Sequence, residues 1–367
     1  MGHPRRYCFI TGYLRSGTTL VEKLVHALPD ACIGPQPFPF LYHDAKRAFL
    51  RSRGAGEERY PLGHLFGEER YRPEDFEQFL ARHRLTPPAV AATFEAMRGY
   101  QGWKLPALAA HAQRVEGGTF VEVYRQLCDA LPLVLARDAN LLGAKEVFCE
   151  EYIGHFLASG VPTILVLRDV RDVVTSLKFG SGPSYANPAL SLLHSVRQWR
   201  KSVAFALQFA GRPGFEVVRY EELVSQPRQW LDAVARRLGS PPASAAALDD
   251  LRDQEGGSWQ GNSSFAPVRG VSRESVGRFA GRLPPEWLSM VEALCAPEMQ
   301  ALGLAPVTAP GDWRLPEAPA ESAAERRRLE LVAHAGATAS EQRRWFIFPR
   351  AYQALAAARR ARGTART

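Results

Sequence analysis

The feature that most constrains the fold lies near the N-terminus. An apolar run beginning at Tyr7 leads into the loop Gly12 to Thr19, GYLRSGTT, and an amphipathic helix pattern then continues to Leu28. A strand that feeds a glycine-bounded loop opening a helix aims backbone N–H groups and the positive helix end at one point, which suits a bound phosphate or sulfate. The pattern therefore predicts an α/β fold with an anion site after its first strand.

The loop differs from an ordinary nucleotide-binding phosphate loop in one position. The spacing Gly12-x-x-x-x-Gly17 fits such a loop, but Thr18 stands where the phosphate-gripping lysine is expected. Arg15, inside the loop, is a candidate for this cationic role because its planar guanidinium can hold two anionic oxygens at once. The spacing alone is weak, so the prediction depends on the strand before the loop and the helix after it.

Further apolar runs indicate a parallel sheet. They lack the polar alternation of half-exposed strands, as expected for parallel strands covered on both faces, and they lie at residues 141–144, 163–167 and 215–218. Helix-like stretches separate them at residues 150–158, about 188–210, and 227–238. Strands that alternate with helices predict a doubly wound α/β fold, a P-loop-type parallel sheet flanked by helices.

Composition divides the chain into three predicted regions. We expect an α/β domain over residues 1–304 with a helical and loop insertion at about 40–140, a Pro/Ala-rich linker at 305–319, and a basic helical tail at 320–367. The net charge is +8, and residues 305–367 contribute most of it, with 11 Arg against 6 Asp or Glu. The main body lacks the interleaved basic and aromatic residues of a nucleic-acid interface, so no nucleic-acid partner is predicted.

Two further classes are disfavoured. No apolar run approaches the roughly 18–20 residues that span a bilayer, which predicts a cytoplasmic protein without a membrane span. The five cysteines are scattered, without a Cys-x-x-Cys pair, and no His-Glu-x-x-His helix is present. We therefore predict neither a disulfide framework nor a metal site.

A second candidate site follows the run at 163–167. Arg168 opens a charged turn that leads through Asp172 to Ser176. Because ligands of open α/β sheets bind beyond the carboxyl ends of the strands, we expect Arg168 on the same rim as the Gly12 loop. The alternative, that Arg168 simply pairs with Asp169 or Asp172, remains open at this point.

Four segments in order resemble one family. Arg15-Ser-Gly-Thr-Thr-Leu20, Arg168-Asp-Val-Arg-Asp with Ser176, Val218-Arg-Tyr-Glu-Glu-Leu-Val224, and Ser275-Val-Gly-Arg-Phe279 together resemble the sulfotransferases that use 3′-phosphoadenosine 5′-phosphosulfate (PAPS). The resemblance covers residues 7–304 apart from the insertion. Arg15 and the late Asn262-Ser263-Ser264 are most similar to the tyrosylprotein branch and its bacterial relatives.

The resemblance implies an enzyme that moves the sulfuryl group of PAPS to an acceptor hydroxyl, without a metal. It implies that the loop holds the 5′-phosphosulfate, and that Arg168 and Ser176 hold the 3′-phosphate. The residues so assigned to PAPS are Arg15, Ser16, Gly17, Thr18, Thr19, Arg168, Ser176, Tyr220 and Ser263. The acceptor, a small molecule, glycan, lipid or peptide tyrosine, and the oligomeric state stay open.

The catalytic groups are less well defined. The resemblance assigns Arg15 and Lys145 to the leaving group, with Lys104 as a rival for the place of Lys145. The branch's general-base glutamate falls at Gln36, and an amide cannot take a proton from the acceptor hydroxyl. His43 and Asp44 are therefore candidate bases, with Glu146 and His155 behind them; alternatively, the acceptor is already acidic.

Two other functions compete with this interpretation. An ATP-dependent P-loop kinase of small molecules would share the loop, but it would need a lysine after Gly17 and carboxylates for magnesium. A non-catalytic nucleotide-binding scaffold would keep the loop, lose the base at Gln36 and use the basic tail to bind partners.

Overall fold

The central sheet is parallel. The structure is a computed structural model that describes residues 4–54, 73–100, 102–180, 192–253, 256–265 and 269–308. In these ranges five parallel strands pair in the order β2-β5-β1-β6-β7, and two short strands, β3 and β4, form a separate antiparallel ladder. In chain order the strands are β1 Arg6–Gly12, β2 Ala31–Pro35, β3 Arg84–Leu85, β4 Gly118–Thr119, β5 Leu141–Lys145, β6 Thr163–Leu167 and β7 Phe215–Arg219.

Helices connect the strands and cover both faces of the sheet. The first ones are α1 Thr18–His26, α2 Pro39–Ser52, α3 Pro73–Arg82, α4 Pro87–Ala96, α5 Ala109–Ala112, α6 Phe120–Asp129 and α7 Leu131–Val134. Those that follow are α8 Ile153–Ala158, α9 Val170–Lys178, α10 Leu192–Phe209, α11 Tyr220–Ser225, α12 Pro227–Leu238 and α13 Pro285–Ala301.

Alternation along β1 builds two apolar layers. Cys8 and Ile10 join the layer formed with α1 and α12, whereas Phe9 between them joins the layer formed with α6, α8 and α10. Successive side chains of a strand point to opposite faces, so a continuous apolar run is what a sheet covered on both sides requires. The predicted α/β fold with a P-loop-type parallel sheet is confirmed.

The predicted strands at 141–144, 163–167 and 215–218 correspond to β5, β6 and β7. β2, with the sequence ACIGP, was not predicted because Gly34 and Pro35 weaken its strand propensity. As an edge strand it tolerates Pro35, which cannot donate to a ladder on both sides. The predicted helix at 150–158 begins as a 3-10 turn, Glu150–Tyr152, before α8.

The described part of the insertion, between β2 and β5, consists of α2 to α7 and the β3–β4 ladder. It adds no strand to the parallel sheet within the described residues. The basic tail at 320–367 and all but the first residues of the linker lie outside the described residues. Across the described ranges, no helix combines the length and the apolar character needed to cross a membrane.

A buried ionic network ties the insertion to the core. Lys201 on α10 lies 2.8 Å from Glu150 and 2.9 Å from Glu151, and Lys46 on α2 lies 3.3 Å from Glu151. All four side chains are almost completely removed from solvent. Buried charges of this kind tolerate the loss of a partner poorly, because the remaining charge stays desolvated.

We expect Lys201→Met to lower the free energy of unfolding by about 3–5 kcal/mol, because it leaves two buried carboxylates with one lysine. Urea denaturation measures the change. The control is Arg98→Met, which breaks an ion pair with Glu95 whose side chains are 70% and 67% exposed, and which should cost less than about 1 kcal/mol. Equal effects of the two substitutions would contradict a structural role for the network.

Candidate active site

The carboxyl ends of the parallel strands line up the candidate residues along one edge. In the order of the sheet, Gln36 follows β2, Glu146 follows β5, the loop 13–17 follows β1, Arg168 follows β6 and Tyr220 follows β7. Since the strands are parallel, their ends meet at the same side of the sheet, where ligands of such folds bind. The loop at β1 therefore divides the edge into a half containing Arg168 and a half containing Gln36.

The glycine-bounded loop needs its two glycines for close packing. Gly12 has a φ of 152°, and a Cβ on it would lie 2.5 Å from the carbonyl oxygen of Val166 in β6. Gly17 caps α1 with a φ of 96°, and a Cβ there would lie 2.5 Å from the ring of Tyr220. The loop thus sits directly on β6 and on the aromatic ring that follows β7.

Arg15 crosses the crevice from this loop. Its backbone has a φ of 64°, a left-handed conformation that non-glycine residues seldom adopt outside functional or tightly constrained sites. Its Nε donates to Ser176 Oγ at 3.1 Å, and its Nη2 donates to the carbonyl oxygen of Asn262 at 2.6 Å. Its guanidinium therefore connects the loop to α9 and to the segment 256–265.

Arg168 meets Arg15 from the end of β6. Its Nη1 donates to the Arg15 carbonyl oxygen at 3.2 Å, and its Nη2 donates to the carbonyl oxygen of Ser275. Its guanidinium lies 4.6 Å from the centre of the Tyr220 ring, and Asp172 lies 3.7 Å away. The ion pair with Asp172, which was the alternative role for Arg168, is thus only one of several contacts that its guanidinium makes.

A third arginine faces the same cavity. Arg278 lines the crevice with Arg15 and Arg168. Burial, followed by the charges of Arg168 and Arg282, lowers the pKa of Arg278, and Asp172 opposes the shift. Arg278 was not predicted as a site residue, although it lies within the segment 275–279 that carried part of the resemblance. Crowded guanidinium groups in a concave site attract an anion.

The cavity gathers most of the residues predicted to bind PAPS. All of them except Ser16 line it, together with Asp172, Trp259, Asn262, Ser264, Phe265 and Ser275. Ser16 lies buried beneath them. Within the described part of the chain, Ser16 Oγ and Arg168 Nε are buried donors without a hydrogen-bond partner. Donors left unsatisfied next to a cationic cavity fit a polyanionic ligand.

Carboxylate and hydroxyl contacts hold the far wall of the cavity. Asp172 accepts hydrogen bonds from the backbone N–H groups of Gly277 at 2.8 Å and Phe279 at 3.0 Å. Ser176 Oγ lies 2.6 Å from Ser264 Oγ. The segments 256–265 and 269–281 are therefore fastened to α9, the helix that follows Arg168.

In the other half of the edge, Lys145 lies beside Gln36. Lys145 Nζ donates to Gln36 Oε1 at 3.0 Å, and Gln36 N donates to the Lys145 carbonyl oxygen at 2.9 Å. Gln36 has a φ of 45°, again a strained conformation for its residue type. Burial lowers the pKa of Lys145, although the nearby charges of Glu22 and Glu146 oppose the shift. Lys145 is not among the residues lining the arginine cavity.

Glu146 is turned inward. Its side chain is 1% exposed, and its Oε1 accepts a hydrogen bond from Phe38 N at 3.3 Å. Burial raises the pKa of Glu146 to about 8, against the opposing charge of Lys145. Burial therefore favours the protonated form of this carboxyl group.

The remaining candidate bases and the rival lysine lie in the insertion and behind it. His43 on α2 stacks on Phe40, and burial lowers its pKa to about 3, with the charges of Lys46 and Arg47 adding to the shift. Asp44 accepts a hydrogen bond from Thr93 at 2.5 Å. His155 is buried near Phe120, and Lys104 is exposed. The catalytic roles assigned to Arg15, Lys145, His43 and Asp44 stay predictions.

No group of three or more His, Cys, Asp or Glu side chains suited to a metal ion occurs among the residues that the structure describes. The described cysteines, Cys8, Cys32, Cys128, Cys149 and Cys295, are all unpaired and buried.

Comparison with known proteins identifies a family. The profile of the Sulfotransferase family matches residues 8–244, more than half of the chain. No curated protein matches the chain significantly.

Two solved structures are similar to the chain. A sulfotransferase domain from the curacin biosynthetic pathway shares 15% identity with a TM-score of 0.45, over 81% of this chain and 99% of that domain. A sulfotransferase domain from the olefin synthase of Synechococcus PCC 7002 shares 17% identity with a TM-score of 0.40, over 80% of this chain and 96% of that domain.

We expect Glu146→Gln to flatten the pH dependence of stability. Because burial raises the pKa of Glu146 from 4.5 to about 8, the folded chain keeps a proton that the unfolded chain loses. The free energy of unfolding should therefore fall as pH rises through this window, by up to about 1.4 kcal/mol per pH unit. Glutamine does not titrate, so the variant should lack this dependence on pH. Urea denaturation at a series of pH values measures the slope of the unfolding free energy against pH for the variant and for the unmodified chain.

The control for this experiment is Glu95→Gln, whose side chain is on the surface. It should leave the slope as it is in the unmodified chain. If Glu146→Gln leaves the slope equally unchanged, Glu146 does not hold its proton in the folded state.

Proposed function

The chain belongs to the sulfotransferase family, and from this premise we propose that it transfers the sulfuryl group of PAPS to a hydroxyl group of an acceptor. The observation that carries the proposal is the convergence of Arg15, Arg168 and Arg278 on one cavity at the carboxyl edge of the sheet. A donor with phosphate or sulfate groups at both ends needs more than one cationic binding group, and three arginines line this one cavity.

We assign the two ends of PAPS to the two sides of that cavity. The loop residues 15–19 and the N-terminus of α1 would hold the 5′-phosphosulfate, where backbone donors and the helix end favour an anion. Arg168 and Ser176 would hold the 3′-phosphate, with Arg278 beside them. Tyr220 and Ser263 line the same cavity and would contact the nucleoside.

Sulfuryl transfer requires mainly that the two reactants are positioned and that the charge on the leaving oxygen is stabilised. Arg15, with the hydroxyls of Thr18 and Thr19, would stabilise the negative charge that develops on the oxygen leaving sulfur. A transferring sulfuryl group carries less negative charge than a γ-phosphoryl group, so a lysine after Gly17 and a magnesium clamp are not required. Lys145, across the loop from Arg168, is a second candidate for the leaving group.

A kinase and a non-catalytic scaffold would bind or use nucleotides differently from a sulfotransferase. A kinase would prefer ATP with magnesium, but Thr18 stands where its phosphate-gripping lysine belongs. A scaffold without activity would bind adenosine 3′,5′-bisphosphate, the product of PAPS, without transferring a group to any acceptor. The closer similarity to the tyrosylprotein branch, which rests on Arg15 and Asn262–Ser264, stays a prediction.

We expect adenosine 3′,5′-bisphosphate to raise the melting temperature more than ATP or ADP at equal concentration, because only this nucleotide carries a phosphate for Arg168 and Ser176. Arg168→Ala should weaken its binding by about 10- to 100-fold, which corresponds to the loss of hydrogen bonds to a charged group. Calorimetric titration measures the Kd of each nucleotide.

The matched control for this binding experiment is Arg237→Ala. Arg237 pairs with Glu216 near the amino end of β7, away from the crevice. The Arg237→Ala variant should therefore bind the nucleotide as tightly as the unmodified chain does. The melting temperature without ligand reports whether Arg168→Ala still folds. An undiminished affinity in folded Arg168→Ala, or a stronger response to ATP with magnesium, would overturn the assignment of this cavity to PAPS.

We expect Arg15→Ala to lower kcat for sulfuryl transfer by about 10²–10³-fold, the usual cost of removing a donor aimed at developing charge. Transfer of radiolabelled sulfate from PAPS to phenolic, alcoholic and amine acceptors provides the measurement. Arg15→Lys keeps the positive charge without the planar fork and should retain part of the rate. Near-normal kcat in Arg15→Ala would place the catalytic cation elsewhere.

A further inference from the structure

We propose that Gln36 determines acceptor specificity by restricting transfer to aromatic hydroxyl groups acidic enough to react as their oxyanions. This inference rests on the proposed function, since it concerns the acceptor half of the same site. It follows from the position of Gln36, from what its amide contacts, and from the aromatic surface beside it.

Gln36 lies on the side of the loop opposite the arginine cavity. Pro35 in β2 is paired with Lys145 in β5, and Lys145 is paired with Ile10 in β1, two residues before Gly12. Arg168 follows β6, on the other side of β1. If the loop holds the phosphosulfate, the acceptor oxygen approaches it from the half of the edge that contains Gln36 and Lys145.

The contacts of Gln36 fix which atoms of its amide are used. Its Oε1 accepts from Lys145 Nζ, and its backbone N–H is bonded to the Lys145 carbonyl oxygen, so the strained residue is clamped to β5 at two points. With the oxygen committed to Lys145, the half-buried amide offers its Nε2 donors to a ligand. N–H donors stabilise an oxyanion, and they cannot remove a proton from a neutral hydroxyl.

The charged groups around Lys145 do not supply an obvious base. They are Glu22 and Lys23 from α1, Glu146 from the end of β5, and Lys104 from the insertion. Glu22 is completely buried and burial raises its pKa, while Glu146 is turned inward toward Phe38. Neither carboxyl group is presented to an incoming acceptor.

The candidate bases on α2 are also poorly suited. The ring of His43 is stacked on Phe40 at 5.5 Å, and burial together with the charges of Lys46 and Arg47 lowers its pKa, which weakens it as a base. Asp44 is engaged by Thr93 and lies 3.8 Å from Arg47. The described groups beside Gln36 thus favour an acceptor that has already lost its proton.

An aromatic surface adjoins Gln36. Phe40, four residues later and half-buried, lies 5.0 Å from the ring of Tyr100 and 5.5 Å from the ring of His43. Tyr100 is 44% exposed, and Trp103 Nε1 donates to the Pro37 carbonyl oxygen at 2.8 Å, which fastens Trp103 to the residue that follows Gln36. Aromatic side chains prefer the edges and faces of other rings, so the surface suits an aromatic acceptor.

In the proposed reaction, no group of the enzyme removes a proton from the acceptor. The acceptor loses its proton to solvent before it binds, and its oxyanion attacks sulfur. A new oxygen–sulfur bond forms, the bond between sulfur and the bridging phosphate oxygen breaks, and its electron pair stays on adenosine 3′,5′-bisphosphate. Gln36 Nε2 orients the attacking oxyanion, and Arg15, with Lys145 as the second candidate, stabilises the leaving oxygen.

The test is the pH dependence of kcat/KM for 4-nitrophenol, 4-cyanophenol, 4-chlorophenol and 4-methylphenol, with 2-phenylethanol and 2-phenylethylamine as acceptors that form no oxyanion. We expect kcat/KM for each phenol to rise with pH and level off at that phenol's own pKa. The inflection should move along the series, and the alcohol and the amine should react at least about 10²-fold more slowly.

Two substitutions sharpen the experiment. Gln36→Glu places a carboxylate where the amide is, and it should raise kcat/KM for 2-phenylethanol relative to 4-chlorophenol by about 10²-fold, the usual contribution of a general base. Gln36→Met, which keeps the size but removes the N–H donors, should slow transfer to all phenols without admitting the alcohol. Circular dichroism and binding of adenosine 3′,5′-bisphosphate verify that both variants fold.

An inflection at one pH for all phenols, or a fall in kcat/KM above the pKa of each phenol, would reveal an enzyme base and overturn the proposal. Efficient transfer to 2-phenylethanol by the unmodified chain would do the same, and both results leave sulfuryl transfer itself intact. Failure of the proposed function looks different, because then no acceptor of either kind, the amine included, receives sulfate from PAPS.

Discussion

The site depends on the close approach of like charges at one edge of the sheet. Arg15 and Arg168 are held together because Arg168 donates to the backbone carbonyl of Arg15, while the ring of Tyr220 and the carboxylate of Asp172 accompany its guanidinium. Arg278 adds a third positive group to the same cavity. Carbonyl oxygens, an aromatic face and one carboxylate offset the repulsion only in part, so the three arginines leave the crevice with an excess of positive charge.

The edge of the sheet divides recognition between two chemically different halves. On one side of the loop, arginines and serines line the cavity proposed to hold PAPS. On the other side, Lys145 and Gln36 share two hydrogen bonds near the aromatic rings of Phe40 and Tyr100. Strained backbone conformations occur at Arg15, within the loop, and at Gln36, at the end of β2, which indicates that both residues are held in fixed geometry by their surroundings.

Much of the arrangement could be predicted from sequence because it depends on local pattern. Apolar runs predicted β5, β6 and β7, and the strand–loop–helix pattern predicted β1, the glycine-bounded loop and α1, whereas the anion site at that loop stays a prediction. β2 escaped detection because its strand propensity is low and its stability comes from pairing with β5. Arg278 and the Gln36–Lys145 contact depend on residues that are distant in sequence, and periodicity carries no information about such contacts.

The ionic network around Glu151 restricts the motion of α2, the helix next to Gln36. Lys46 belongs to α2, the helix that begins shortly after Gln36, and Lys201 belongs to α10, so one carboxylate anchors both helices. Any hinge motion of α2 away from α10 would strand a desolvated charge, at a cost of several kcal/mol. The helix that follows Gln36 is therefore held rigidly against α10, and its position is fixed independently of any ligand.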